Sequence, residues 1–372
     1  MSAPRSSSIE VANVRCEIAA DLDLGARTAL DAFAAASPAA THYQLSAWFD
    51  LAPRTAIQHY RLVRCWHDGD LLLTGIARYT KLFFGSYLVT FHRGPVVRQP
   101  EDLHCGMPAV LKAAGASGAC TVMVNPWWTD SSADAVSRIL ATQGFLPLPP
   151  GEQTMHGATG VVDLRPDADT LLARMQPRGR RSLRKAENLG VRIREAKREE
   201  DLQRCDALWR SFVARKAYDT AGLPDFRRQI ELVGRIGGSA LLAEFRGTVI
   251  GFLNTLHCGE RAYWLALATS ECSAEVPKSY SLMQQAFLIA QSHGCLAYDL
   301  AGMPDAHPRD PEEANRAQFK RAFSPSVVRL CPILVRPLDA FRHTTLFTLR
   351  QHYRRSWRKV LPLERLLGRI HG

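Results

Sequence analysis

The chain has 372 residues, 46% hydrophobic and 22% charged, which suits two ordinary globular cores and excludes a disordered or fibrous protein. No run approaches the roughly 18 apolar residues of a membrane span, and the N-terminus lacks the apolar stretch of a signal peptide, so a cytoplasmic location is expected. The formal charge of +11 is unevenly placed: ten Lys and Arg face two acids from Arg174 to Arg198, a net of +8, and nine face two from Arg336 to Gly372, a net of +7. Two such basic segments on a mildly acidic body predict a polyanionic partner.

The first ten residues, rich in Ser, Pro and Arg, read as disordered. YRLVRCW and LLLTGIARYT then read as strands joined by a tight turn at His67-Asp68-Gly69-Asp70. GSYLVTFHRGPVV gives a third strand that ends at Gly94-Pro95. A helix follows from Asp102 to Ala114, then ACTVMVNP as a buried strand. Ser131 is the expected cap of a helix reaching Thr142, with Gly144 as its stop. The second half repeats the plan. Asp201 to Ala217 forms a helix with one apolar face. ALLAEF and TVIGFLNTLHC make a hairpin across Arg246-Gly247, and Gly259-Glu260 turns into RAYWLALA. Lys278 to His293 forms a helix, CLAYDLAG a buried strand, and SVVRLCPILVRP a final strand that closes the second set.

This rhythm of helix, hairpin, further strand, helix and strand predicts an α/β protein of two tandem acetyltransferase-like domains with mixed, mostly antiparallel sheets. The boundaries fall at 9–150 and 151–340, with a basic helix at 174–189, and the hinge lies in the Pro-rich PLPPGEQ at 147–153. The glycine-bearing phosphate loop that acetyl-CoA enzymes of this shape carry before their main helix is missing: Glu275-Val276-Pro277-Lys278-Ser279-Tyr280 stands there instead. CoA is therefore disfavoured, no ATP or dinucleotide motif occurs, and no cofactor is expected. The nine cysteines form no C-x-x-C pair and read as reduced, buried thiols. The 12 histidines do not cluster as metal ligands, so no metal is expected, and His42, His59 and His67 read as surface residues.

Five segments in order resemble the FemAB-type transferases. RMQPRGRRSLRKAENLGVRI carries Arg180, Arg181, Leu183, Lys185, Ala186, Gly190 and Val191 in that family's basic-helix pattern. Tyr298-Asp299 with Gly302 resembles its Y-D-x-x-G, and Phe319-Lys320-Arg321-Ala322-Phe323 its F-K-x-x-F. In the first half, Gln44-Leu45-Ser46-Ala47-Trp48 resembles the opening Q-S-x-x-W, and Arg93-Gly94-Pro95-Val96 the R-G-P-V. The resemblance spans about residues 40 to 340. It implies tandem acetyltransferase-like domains that take an amino acid from aminoacyl-tRNA and join it to an amine. The acceptor is typically a peptidoglycan precursor, but relatives in peptide natural-product or exopolysaccharide pathways share the fold, so the resemblance leaves the acceptor open. Many relatives have an Asp before the Pro where Asn125 stands, and a neutral amide cannot serve as general base. The coiled-coil arm of some relatives is absent.

An aminoacyl ester is already activated, so such an enzyme needs only to orient the reactants and stabilise an oxyanion. The catalytic candidates are Lys320, as a fixed cation between Phe319 and Phe323, Tyr263, as orienting hydroxyl or proton relay, and Asn125. Arg215 and Lys216 would grip an acceptor phosphate, and Phe319, Tyr298 and Asp299 would line the substrate. Arg178, Arg180, Arg181, Arg184 and Lys185 would contact tRNA phosphates. The C-terminal extension, residues 341–372, places Leu346, Leu349, Tyr353, Trp357 and Val360 on one stripe beside Arg354, Arg355, Arg358 and Lys359. That pattern predicts a helix for an anionic membrane or the tRNA arm. Two other readings stand beside this one. One is an N-acyltransferase fed by an acyl carrier protein or acyl-CoA. The other is a non-catalytic RNA-binding or membrane-surface protein.

Overall fold

The structure, a computed structural model, describes residues 6–82, 85–216, 222–271, 275–303 and 311–345. It opens with a hairpin, β1 (Ser6–Val11) and β2 (Val14–Ala19), where the sequence suggested disorder. Val14, Cys16 and Ile18 on alternate positions of β2 are fully buried, and that period-2 burial fixes the hairpin onto the sheet. The first half continues with α1 (Leu24–Ala35), α2 (Ser46–Leu51), β3 (Gln58–His67), β4 (Asp70–Lys81), β5 (Tyr87–Phe91), β6 (Val96–Val97), α3 (Asp102–Ala116), β7 (Ala119–Val124), α4 (Asp130–Thr142) and β8 (Leu146–Pro147). Asp68 and Gly69 both take positive φ, 50° and 91°, which gives the two-residue turn whose twist matches the flanking strands. Helix α4 begins after Thr129, so Ser131 lies inside the helix and does not cap it.

The second half holds β9 (Ala158–Asp163), α5 (Ala168–Arg174), α6 (Pro177–Asn188), β10 (Arg192–Glu195), α7 (Glu199–Lys216), α8 (Phe226–Ile236), β11 (Gly238–Phe245), β12 (Thr248–Cys258), β13 (Arg261–Thr269), α9 (Ser279–Ser292), β14 (Ala297–Met303), α10 (Pro311–Arg321), β15 (Ser326–Arg329) and β16 (Leu334–Pro337). Its sheet runs β10-β11-β12-β13-β14-β9-β15 and the first runs β1-β2-β3-β4-β5-β7-β16-β8, with β6 on β4. Each sheet is antiparallel except at one place. There a strand, a helix and a second strand make a parallel pair, β5·β7 around α3 and β13·β14 around α9. Two mixed α/β units of acetyltransferase-like plan therefore lie in tandem.

The last strand departs from the sequence reading. SVVRLCPILVRP does not form one strand of the second sheet. It breaks at Leu330-Cys331-Pro332-Ile333. β15 pairs with β9, while β16 crosses to the first sheet and inserts between β7 and β8. Pro332 has no N–H to give a ladder, so the run is interrupted where it changes sheet.

The two units share a core. Leu30, Trp48, Phe49, Leu62 and Ile76 of the first bury against Leu232, Val233, Leu256 and Leu265 of the second. At its rim Asp50 accepts from Arg27 at 2.6 Å and from Arg235 at 2.5 Å, one carboxylate bridging the halves. His42 and Tyr43 also lie in this seam. The His42 ring is buried against Tyr43, Trp48 and Tyr263, and burial lowers its pKa to about 3. It is therefore a neutral interior residue rather than the surface histidine its polarity suggested, while His67 is exposed. Of the eight cysteines described as free, seven are buried and Cys105 is exposed. No described helix is long and apolar enough to cross a membrane. The stripe of Leu346, Leu349, Tyr353, Trp357 and Val360 lies outside the described residues.

Candidate active site

The parallel pairs of the two sheets differ in length. β5 pairs with β7 along all of Tyr87–Phe91. β13 pairs with β14 only from Arg261↔Ala297 to Tyr263↔Asp299. Beyond that point β13 runs on to Thr269 beside β12, and β14 runs on to Met303 beside β9. The strands part at Trp264, and a wedge opens in the second sheet alone.

Lys320, in the last turn of α10, closes the root of that wedge. Its side chain is buried, and Nζ donates to Gly302 O at 2.7 Å and Ala301 O at 3.3 Å while lying 5.0 Å from the centre of the Trp264 ring. Burial pulls its pKa down to about 8, with Asp299 opposing and Arg316 assisting. The aromatic wall over the ammonium is Trp264. Phe319 instead turns toward Tyr280, 4.8 Å away, and Phe323 toward Phe287. The two carbonyls are aimed by a kink: Ala301 has φ 59°, and the β14–β9 register slips between Asp299 and Gly302. Asp299 holds that kink by accepting from Ala301 N at 2.8 Å. Its other bonds come from Thr159 Oγ1 and, across the seam, from Trp127 Nε1 at 3.3 Å. Asp299 is buried and its oxygens are engaged, so it positions the lysine's acceptors instead of lining the substrate.

The remaining candidates separate. Tyr298, next to Asp299, points to the opposite face and sits fully buried against Phe287. Tyr263 donates its hydroxyl proton to Ala40 O at 2.9 Å and accepts from Arg261 Nη1 at 3.2 Å, and burial drives its pKa well up. It fastens one unit to the other. Asn125 lies in the first unit, where Oδ1 accepts the Arg93 N–H at 2.9 Å and keeps that residue at φ 52°. Arg215 and Lys216 each already face an acid, Arg215 paired with Glu271 at 3.0 Å and Lys216 with Glu312 at 2.7 Å, both at the surface. Lys278, just before α9, is buried and donates to Ser270 O.

Helix α6 carries the expected basic residues. Arg178, Arg181, Arg184 and Lys185 are exposed and enter none of the ion pairs among the described residues. Arg180 differs: its Nη1 donates to Ala173 O at 2.9 Å and to Met175 O, tying α5 to α6 from the inside of their turn. Two carbonyls hold its Nη1 and fix the side chain against the α5–α6 turn, while its charge is met by no acid among the described residues.

Three side chains missed in the sequence stand around Lys320 and Asp299. Trp264 forms its wall, Trp127 links Asp299 to the first unit under the Arg261 guanidinium at 3.6 Å, and Arg93 is buried at the seam. Trp127 follows Asn125-Pro126, and Arg93 belongs to the R-G-P-V already quoted, so the segments were visible although the contacts were not.

No protein-family model matches the chain, and no curated protein matches it. Among solved structures, that of FemX superposes with a TM-score of 0.74 at 15% identity, covering 92% of this chain and 99% of that one. The chain has the fold of FemX. A conserved protein of unknown function from Bacteroides thetaiotaomicron superposes with a TM-score of 0.55 at 11% identity, covering 85% and 97%. The sequence resemblance and the FemX likeness thus agree on the fold, over nearly the whole of both chains.

Proposed function

We propose that the protein is a transferase that moves an activated acyl group, in its finer form an amino acid from aminoacyl-tRNA, onto an amine. The observation that carries this reading is the wedge between β13 and β14 with Lys320 buried at its root. The fold shared with FemX and the sequence resemblance to the FemAB-type transferases point the same way. An extended acyl donor enters such a wedge between two parted strands, where backbone groups freed from the ladder can bind it. The amine nitrogen attacks the ester carbonyl, the new C–N bond forms, and the C–O bond to the ribose breaks. The proton lost by the amine ends on the departing hydroxyl. Lys320 as ammonium has three donors, two spent on Gly302 O and Ala301 O, and the third meets the developing oxyanion.

What favours a tRNA donor is α6, where four cations are exposed, enter none of the ion pairs among the described residues and stand together on one short helix. Helix phosphate contacts of this kind give affinity without base readout. The test is to incubate the protein with tRNA charged with radiolabelled amino acids and a small-molecule extract, then follow label into RNase-resistant amide. Label that stays on tRNA with every amino acid removes the aminoacyl form of the proposal. The same assay with acyl-CoA or acyl carrier protein tests the other donors.

A further inference from the structure

Arg93 is in an unusual state for an arginine. The residue is 7% exposed, yet it enters none of the ion pairs among the described residues. Its Nη2 donates to His156 O at 3.3 Å, and its Nη1 meets no acceptor among the described residues. Asn125, which holds the Arg93 backbone, is 3% exposed, and its Nδ2 is also without an acceptor among the described residues. Arg261 Nε, over Trp127 at the same seam, is in the same condition. All three are donors. The acid whose charge acts most on Arg93 is Asp299, but its oxygens already serve Thr159, Ala301 and Trp127. A buried guanidinium without a paired anion is strongly unfavourable, and replacing it by an apolar residue would relieve the fold. A group kept buried at that cost, beside a second idle donor, is explained by a ligand that brings acceptor oxygens.

The place fits the transfer site. The carbonyl that Arg93 grips belongs to His156, and the His156 ring lies against the Cα of Gly302, so closely that a methyl there would fall 1.9 Å from the ring. Gly302 O is in turn the nearest partner of Lys320. Three consecutive contacts therefore join the idle guanidinium to the lysine, one from each unit, across the seam.

We propose that Arg93 and Asn125 bind an anionic oxygen group, carboxylate or phosphate, carried by the acceptor, so that the protein selects amines that bear a negative charge. This rests on the transferase reading above. Arg93 takes over the anion-binding role expected of Arg215 and Lys216, whose charges are met by Glu271 and Glu312.

The test compares two matched pairs of amines by calorimetry on the full chain without donor: 4-aminobutyrate against 4-aminobutanamide, and O-phosphoethanolamine against ethanolamine. The charged member of at least one pair should bind about tenfold tighter or better, as expected for one charge-assisted pair out of water. The pair that separates identifies carboxylate or phosphate as the source. Arg93→Gln should collapse the ratio to within about twofold, and Arg93→Lys should keep most of it. Equal binding within both pairs in the wild type overturns the proposal, whatever the variants do, and so does a ratio that survives Arg93→Gln. Because no donor is present, the outcome is separable from the transferase reading. Arg93-dependent binding without later acylation would keep this site and end that reading, and acylation that ignores the acceptor's charge would do the reverse.

Discussion

Replacing Lys320 by Met separates the energetics of a buried cation from its chemistry. In the unfolded chain a lysine titrates near 10.5, and in the fold Lys320 titrates at about 8 because its ammonium is stripped of water. Between those values the unfolded state binds more protons than the folded one, so stability rises with pH there. Below about pH 8 both states are protonated and the penalty of burying the charge is complete; above 10.5 it is gone. A shift of this size corresponds to about 3 kcal/mol, of which about 2.5 kcal/mol falls between pH 7 and pH 10. The assay is urea denaturation of wild type and Lys320→Met at one-unit steps over that range, followed by far-ultraviolet circular dichroism. Taking the difference removes every other titrating group. Wild type should gain about 2.5 kcal/mol on the variant as pH rises. Part of the methionine's advantage at pH 7 is offset by leaving Ala301 O and Gly302 O without a donor, but that cost does not vary with pH. A difference that stays flat from pH 7 to 10 would refute the buried-ammonium account. The same ionisation gives transfer a sign: if the cation steadies the oxyanion, turnover falls as pH passes through about 8, whereas a rising limb would make Lys320 a base.

Asp299→Ala should cost about 3–5 kcal/mol in global stability, because it orphans three donors and leaves Lys320 and Arg93 without their nearest counter-charge; Asp299→Asn, which keeps acceptor oxygen, should cost less than half of that by the same denaturation assay. Arg178→Ala, Arg181→Ala and Arg184→Ala combined should lower the slope of log affinity for tRNA against log salt by about two, as read by filter binding, and an unchanged slope removes α6 from the tRNA site. Gly302→Ala should displace His156 and loosen the 147–157 linker, so limited proteolysis should cut there several times faster, and an unchanged rate would contradict the contact.

How much of this was legible follows from which interactions are local. The turns at Asp68-Gly69 and Arg246-Gly247 were readable because both need positive φ, and that demand is met within two residues. Lys320 stood out through its motif, although the sequence assigned it the wrong walls. Phe319 and Phe323 are its neighbours in the chain, while Trp264 is its neighbour in space. Tyr263 and Asn125 have the right chemistry for a site, yet each is held by a partner far away in the chain, Ala40 O and Arg93 N. Alternation tells which face of a strand is buried but not which polar atom waits there. The β1–β2 hairpin was hidden for a similar reason: SSSIEV has a polar composition, and its pairing with VRCEIA decides its state. Helices α1 and α8 escaped notice because their apolar faces belong to a core shared by both halves.

The return of β16 to the first sheet has a consequence for biosynthesis. Leu334 lies between Val124 on one side and Pro147 on the other, so the first sheet waits for a strand made roughly two hundred residues after β7. While the ribosome is producing the second unit, the emerging first unit exposes the unpaired edge of β7, a template for aberrant pairing with another nascent chain. The first sheet is completed only once the last strand has itself been made and has emerged. The two units therefore cannot mature in succession, as beads on a string would. Splitting the gene at the Pro-rich hinge would yield an N-terminal product with a gap in its sheet, one that a short synthetic peptide spanning 330–340 should fill.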